Sequence, residues 1–568
     1  MNRDKALGDQ VGAASNEPVF RAIGRLLADL GVRRCFGLSG TANFQVTHAL
    51  IEAGVTYVAA RHECNAVSMA DAYAKASGEL TVVSVHAGPG LTNSMTGIAE
   101  AAKSRTPLIV LAGDVPGSDV TSTFFINQAE LVRSVGAHPE RIHSPASALG
   151  DTARAVQIAT QERRTVVLSL PMDVQNASVP PNTVAPALPP RASRPFPDPD
   201  SVASLADQIA RAKRPLILAG RGAVIADARH PLLELGDHIG ALLATSLQGN
   251  GLFAGQPWSL GVCGGFASKA AADILKETDL VLGFGASFTY WTTRHRTLFT
   301  SDTVVAQIDV ENARLGSQRQ VDFPIVGDAT VTANELLGAL KRRGVEKKVG
   351  WRTPEMRQRV AAADHHATVY DDVSTSEYLD PRTLTKAIDS ILPQDRVLTL
   401  DAGHFMAWPP QFIRVPDARS SCMSVSFQSI GLGIASAIGT GLAHLGRLIV
   451  LGIGDGGYMM SIADLETAVR VGVRLCILIY DDASYAAEVH PFSEQGYSVD
   501  FVKFPDLDLA GVARSMGAGG VVARTLDDLT PLREWVEQGA PGVFVLDAKI
   551  SPTLEADWHI HATRGGRH

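Results

Sequence analysis

Cysteine is scarce in this chain. Five thiols, Cys35, Cys64, Cys263, Cys422 and Cys476, are scattered over 568 residues with no CxxC among them. An odd number without close pairs argues against a disulfide framework and suits reduced thiols in a cytoplasm. Long apolar runs are missing as well. The longest uncharged stretch, residues 420–446, is rich in Ser and Gly, so a membrane-spanning helix is not expected. No apolar segment follows Met1-Asn2-Arg3-Asp4-Lys5-Ala6, and no secretory signal is expected. Basic blocks are also absent, and the formal net charge is −8. Nucleic acid and anionic membrane surfaces are therefore disfavoured as partners. Short-period repeats are lacking too.

What is present is an ordinary globular composition, 45% hydrophobic and 19% charged, in a chain too long for one core. Three domains are expected. Eight prolines between Pro180 and Asp200 make an extended linker. A second break runs from Lys341-Arg342-Arg343 to Tyr378, without strand pattern and partly helical. Between the breaks, apolar runs read as buried parallel strands. They are Thr81–Val85 and Pro107–Leu111, then Leu216–Leu218, Leu280–Leu282 and Val304-Val305, then Val397-Leu398, Leu448–Leu451, Leu475–Ile479 and Val543–Leu546. Helical patterns separate them; Ile462, Leu465, Val469 and Gly472 share one face. The expected fold is α/β, with three doubly wound parallel-sheet domains over residues 1–185, 200–340 and 379–555.

The last block holds the most informative stretch. The strand Leu448–Leu451 leads into Gly454-Asp455-Gly456-Gly457, and the strand Leu475–Ile479 into Asp481-Asp482. Two buried strands thus end in carboxylates, and the glycine turn opens toward a helix. A parallel sheet can hold a metal and a diphosphate at such an edge.

Two further motifs lie in the first block: Arg61-His62-Glu63-Cys64-Asn65-Ala66 with Met69-Ala70-Asp71-Ala72-Tyr73-Ala74, and Gly88-Pro89-Gly90-Leu91-Thr92-Asn93. Asp482 stands 27 residues after Asp455. Together, and in this order, these motifs resemble the thiamine-diphosphate-dependent superfamily of acetolactate synthases and pyruvate decarboxylases, over roughly residues 18–555. The resemblance implies a pyrimidine-binding first domain, a central Rossmann-like domain and a diphosphate-binding third domain. It implies Mg²⁺ held by Asp455, Asp482 and the carbonyl of Ser484, a hard-oxygen set that such an ion favours. The backbone of Gly454, Asp455, Gly456 and Gly457 would approach the diphosphate. Glu63 would hydrogen-bond the aminopyrimidine and favour the tautomer that takes the thiazolium proton. Ile430, after Ser429, would wedge the cofactor into a bent form. Gly403, His404 and Phe405 would lie along the diphosphate, although His404 also reads as an ordinary loop residue. Glu63 and the diphosphate site come from different subunits in relatives, so a homodimer or homotetramer is expected.

Middle segments resemble the flavin-binding domain of acetolactate synthases: Gly220-Arg221-Gly222, Thr245-Ser246-Leu247, Leu260–Gly265, Ile308-Asp309-Val310 and Gly327-Asp328-Ala329. Relatives hold FAD, ADP or nothing there, and all three stay open.

The pattern also departs from the family. Asp481-Asp482 replaces the usual Asn pair, adding negative charge that the metal or another cation must balance. Ser287-Phe288-Thr289-Tyr290-Trp291 replaces the Arg-Phe-Asp-Asp-Arg run whose arginines meet the flavin and the acceptor carboxylate. Val489-His490-Pro491-Phe492 stands where a Trp is usual. The spacing of Tyr485 and Glu488 resembles the decarboxylases' motif ending in a catalytic Glu, though Glu488 also reads as a helix-surface carboxylate. The decarboxylases' His-His pair is missing from residues 113–136. His86 and Gln128 are the substrate-side polar groups that remain, with packed structural roles equally open to them.

The expected activity is decarboxylation of a 2-oxo acid, pyruvate first among them, with carboligation to a carbonyl acceptor: an aldehyde, a ketone or an activated sugar. The alternatives are a non-oxidative 2-oxo acid decarboxylase and a non-catalytic cofactor-binding subunit.

Overall fold

The structure, a computed structural model, describes residues 17–190 and 193–564. Its strands form three six-stranded sheets, parallel throughout. The first contains β1 (Arg34–Gly37), β2 (Thr56–Ala59), β3 (Thr81–Val85), β4 (Leu108–Asp114), β5 (His138–Arg141) and β6 (Thr165–Pro171). The second contains β7 (Pro215–Ala219), β8 (Leu242–Thr245), β9 (Ser259–Val262), β10 (Leu280–Phe284), β11 (Val304–Asp309) and β12 (Phe323–Val326). The third contains β13 (Arg396–Leu400), β14 (Ser421–Met423), β15 (Leu448–Gly454), β16 (Leu475–Asp481), β17 (Gly519–Ala523) and β18 (Val543–Lys549).

The first sheet runs β2-β1-β3-β4-β6-β5 and the third β14-β13-β15-β16-β18-β17, the same order in each. The second runs β9-β8-β7-β10-β11-β12, the order of dinucleotide-binding folds. The three expected α/β sheets are therefore all present. The described residues fall into two compact units, 17–190 with Ser426–Gln428, and 193–425 with 429–564. The second unit carries the second and third sheets.

The central strands β3, β4, β6, β15, β16 and β18 bury both faces, because helices cover both sides. That is why β3, β4, β15, β16 and β18 read as apolar runs. The proline-rich linker forms no helix or strand among its described residues until Asp198 caps the helix Pro199–Arg211, its carboxylate accepting from Ser201 N at 2.9 Å. The second break carries the helix Pro354–Ala362 and no strand. No disulfide joins the five cysteines. Among the described residues no helix is long and apolar enough to cross a membrane.

Parallel sheets of these orders leave a crevice where the chain leaves two neighbouring strands toward opposite faces. The crevices lie at the carboxyl ends of β1 and β3, of β7 and β10, and of β13 and β15.

Candidate active site

Asp455 stands at the carboxyl end of β15 and opens the helix Asp455–Ser461, with Gly454 as its N-cap. Its side chain is buried. The glycines around it are forced by close approach. A methyl on Gly456 would meet Tyr485 Cε1 at 2.5 Å, and one on Gly457 would meet Asp401 Oδ2 at 2.3 Å. Asp401, at the neighbouring end of β13, is buried and accepts from the backbone N–H of Ala402 (2.9 Å), Gly431 (2.8 Å) and Leu432 (3.3 Å). Burial pushes its carboxyl up to about 7 against the pull of those donors. Asp401 thus ties the segment of Ser429 and Ile430 to the Gly turn. Ile430 is exposed beside this turn, and the Ser429 hydroxyl donates to its carbonyl at 3.2 Å. The organising role of Asp401 is not among the roles expected from sequence. The available signal was a carboxylate ending a buried strand.

The second carboxylate, Asp482, follows β16. Its Oδ1 accepts from Ser484 N (3.1 Å) and Ser484 Oγ (2.9 Å). Ala483 between them takes a left-handed φ of 52°, held by Phe504 N donating to its carbonyl at 2.7 Å. Tyr485 N donates to Val502 O at 2.9 Å, and the Tyr485 ring packs on Phe504. Burial first, then the charges of Asp482 and Asp481, raise the Asp455 carboxyl to about 8. Burial and the charge of Asp481 raise Asp482 to about 7, against its bonds from Ser484. A buried acid and a half-buried one in mutual repulsion beside a glycine cradle fit a divalent cation and a diphosphate. Among the described residues no group of three His, Cys, Asp or Glu side chains could hold a metal. The expected set needs only two carboxylates and a carbonyl, with phosphate oxygens completing the shell.

These two carboxyls give a pH prediction. Both folded values lie above the ordinary 3.8, so the native metal-free protein binds more protons than its unfolded chain between them. The stability they contribute is complete below about pH 4 and is lost as pH rises through about 7 and 8. Mg²⁺ with thiamine diphosphate is expected to flatten this decline. Thermal denaturation against pH, with chelator or with both ligands, measures it.

Gly403, His404 and Phe405 follow β13 on the same edge, but both side chains point into the protein. Phe405 stacks on Tyr480 at 5.5 Å. His404 is buried, and its Nε2 accepts from Ala556 N at 2.9 Å. Its ring lies 4.8 Å from that of His490 and 5.3 Å from that of His559. Burial and these imidazoles hold it well below the usual histidine range. Only backbone from this segment is left for a ligand. Glu488 sits exposed on the first turn of the helix Ala486–Glu494.

In the first unit, Glu63 opens the helix Glu63–Ser77, whose N-cap His62 accepts from Cys64 N at 3.1 Å. The Glu63 carboxylate is 8% exposed, and its Oε2 accepts from Asn93 Nδ2 at 3.1 Å. The Gly88–Asn93 motif therefore aims Glu63. His86 follows β3, where its Nδ1 accepts from Ala42 N at 3.2 Å and its ring meets Phe124 edge-on. Gln128 is buried and held at both ends: Nε2 donates to Gly113 O at 2.8 Å, and Oε1 accepts from Ser169 Oγ at 2.6 Å. It lines a cavity of about 600 Å³ whose wall includes Arg133, Arg141 and Arg154. Arg141 pairs with Asp114, and Arg154 with Glu140 and Asp151.

Sequence comparison matches three stretches in order. Residues 18–133 match the thiamine pyrophosphate enzyme N-terminal TPP binding domain, 202–336 its central domain and 401–548 its C-terminal TPP binding domain. The chain belongs to the thiamine pyrophosphate enzyme family. Within that family it is acetolactate synthase-like. It is 30% identical over 513 residues to the probable acetolactate synthase large subunit of Methanocaldococcus jannaschii, covering 85% of each chain. It is 26% identical over 564 residues to the sulfoacetaldehyde acetyltransferase of Rhodobacter capsulatus, covering 93% of this chain and 94% of that one. The acetolactate synthase large subunit of Haemophilus influenzae is 26% identical over 522 residues, covering 89% of each.

In the central domain of this thiamine pyrophosphate enzyme, Gly220 and Gly222 after β7 pack against Gly285 after β10. A methyl on Gly220 would lie 2.1 Å from Gly285 O. Backbone-to-backbone contact thus accounts for these glycines without a dinucleotide. In the Ser287–Trp291 run Phe288 is buried, Thr289 Oγ1 bonds Thr292 Oγ1 at 3.1 Å, and Tyr290 and Trp291 pack on His295. The next arginine, Arg294, is buried and donates to Ala267 O at 2.9 Å.

Proposed function

We propose that this thiamine pyrophosphate enzyme decarboxylates a 2-oxo acid, pyruvate first among them, and joins the remaining acyl unit to a carbonyl acceptor other than a plain 2-oxo acid. The observation that carries the reading is Glu63, a buried carboxylate at a helix start with Asn93 bonded to one oxygen. Thiamine diphosphate, when bound, supplies the nucleophilic carbon and the electron sink for the pair left by departing CO₂. Glu63 then holds the proton at the aminopyrimidine end. Asp455, Asp482 and the Ser484 carbonyl hold Mg²⁺, and the backbone around Gly454–Gly457 and Gly403–Phe405 faces the diphosphate. His86, Gln128 and Glu488 serve the substrate side; with both ends of its amide engaged, Gln128 has one N–H to offer.

The acceptor part rests on the missing arginine run, since a carboxylate without its bidentate partner forfeits a strong contact. An acceptor with an anionic group of its own would find Arg133 at the Gln128 cavity; among the described residues that guanidinium has no carboxylate partner. Flavin has no role in this proposal. A cytoplasmic homo-oligomer is proposed on the family resemblance.

The test is a screen of 2-oxo acids for CO₂ release by the purified protein with thiamine diphosphate and Mg²⁺, followed by product analysis. CO₂ release whose acyl unit reaches an added aldehyde or ketone supports the proposal. Acetolactate from pyruvate alone overturns the acceptor part. Free aldehyde without ligation assigns a simple decarboxylase, and cofactor-stabilised protein without turnover assigns a non-catalytic subunit.

A further inference from the structure

The adjacent acids Asp481 and Asp482 do different things. Asp481 ends β16 and Asp482 is the first residue past it. Asp482 belongs to the metal loop. Asp481 pairs in register with Lys549, directly across from it on β18. The Lys549 ammonium is 3% exposed and donates to Asp481 Oδ2 at 2.5 Å and to Leu507 O at 2.6 Å. It also lies 2.9 Å from Asp506 Oδ1 and 3.2 Å from Asp547 Oδ2. The other oxygen of Asp481 accepts from Ala483 N at 2.9 Å, inside the metal loop. Asp547 Oδ2 accepts from Leu509 N at 2.9 Å, and Asp506 also pairs with Arg524.

One ammonium therefore joins three pieces of chain: the end of β16, the end of β18 and the segment around Asp506 and Leu507. That segment leads on from Val502 and Phe504, whose backbones bond Tyr485 and Ala483. An Asn at position 481 would give Lys549 no charged partner on β16. The Asp places its charge against an ammonium that it shares with Asp506 and Asp547.

We propose that Lys549 is a positioning residue for the metal loop, which holds the Asp481 carboxylate off the cation so that Asp482 alone of the adjacent pair ligates it. The inference rests on the assignment of Mg²⁺ and thiamine diphosphate to this site.

The test is a double-mutant cycle on the full chain. Its readout is the Mg²⁺ concentration for half-maximal thermal stabilisation at fixed thiamine diphosphate, which requires no turnover. Lys549→Met is expected to raise that concentration about 10–100-fold, the usual cost of losing an outer-shell partner. Asp481→Asn alone is expected to change it less than about threefold, but to recover about tenfold or more in the Lys549→Met background, because interacting residues are non-additive. An additive cycle, or Lys549→Met at wild-type Mg²⁺ affinity, overturns the proposal. So does Asp481→Asn as damaging as Asp482→Ala, which would make Asp481 a ligand. If Lys549→Met alone does not fold, Asp481→Asn against Asp482→Ala still decides. Wild-type protein that gains no stability from Mg²⁺ and thiamine diphosphate overturns the cofactor assignment itself, and is read before any variant.

Discussion

Glu63→Gln is expected to lower turnover by about two to four orders of magnitude, the range carried by a positioned acid–base group. Thiamine diphosphate affinity should stay near wild type. The substitution conserves shape, and the amide oxygen of Gln can still accept from Asn93 Nδ2, as Glu63 Oε2 does at 3.1 Å. What it removes is the exchange of a proton at that position. The native carboxylate sits at the start of the fifteen-residue helix Glu63–Ser77, where unpaired N–H groups favour negative charge. Steady-state rates of CO₂ release, set beside cofactor-induced thermal shifts, separate chemistry from binding. Wild-type turnover in Glu63→Gln would remove this residue from the mechanism.

The second large effect concerns Asp455. Asp455→Ala is expected to take 2-oxo acid decarboxylation to background and to abolish the stabilisation that Mg²⁺ and thiamine diphosphate give. For the wild type that stabilisation should reach about 2.7 kcal/mol with ligand at 100 times its Kd. Without ligands the sign reverses. Asp455 is buried and repelled by Asp482 and Asp481, so above about pH 8 the ligand-free variant should be at least as stable as the wild type. A residue serving only the fold would lower stability in both states. Calorimetry of both proteins, with ligands and with chelator, reads both signs.

The sequence was most legible where burial is complete on both faces. Apolar runs such as Leu448–Leu451 and Leu475–Ile479 lie inside β15 and β16, and each of the nine expected strands is present. The strands that escaped notice lie mostly toward sheet edges: β2, β5, β9, β12, β14 and β17. Their residues alternate with polar ones, as in His138–Arg141, or are glycine-rich, as in Gly519–Ala523. Pairing with an established neighbour, rather than local pattern, makes them strands. Three interior strands, β1, β6 and β8, also lie outside the expected runs: β1 and β8 are four residues each, and β6 adjoins the polar stretch of Gln161–Arg164.

The same limit applies to the site. Asp455, Asp482 and Glu63 stand in motifs, and motifs survive in one dimension. Asp401, Asn93 and Lys549 act through contacts 30, 30 and 68 residues away, to Gly431, Glu63 and Asp481. No local spacing announces Asp401 or Lys549, and the motif that holds Asn93 does not show which residue it bonds. His404 shows the converse: its position in the motif was legible, but the tail of the chain, through Ala556 and His559, decides where its ring points.

The shared strand order of the first and third sheets carries a consequence of its own. One framework is used twice, so each copy possesses the same notch between its first and third strands. In the third sheet that notch is left to acids and bare backbone, at Asp401 and Asp455. In the first it is stoppered by an imidazole, His86, bolted to Ala42 across the gap. A single scaffold thereby carries two different fittings at the same place, carboxyls in one copy and an imidazole in the other.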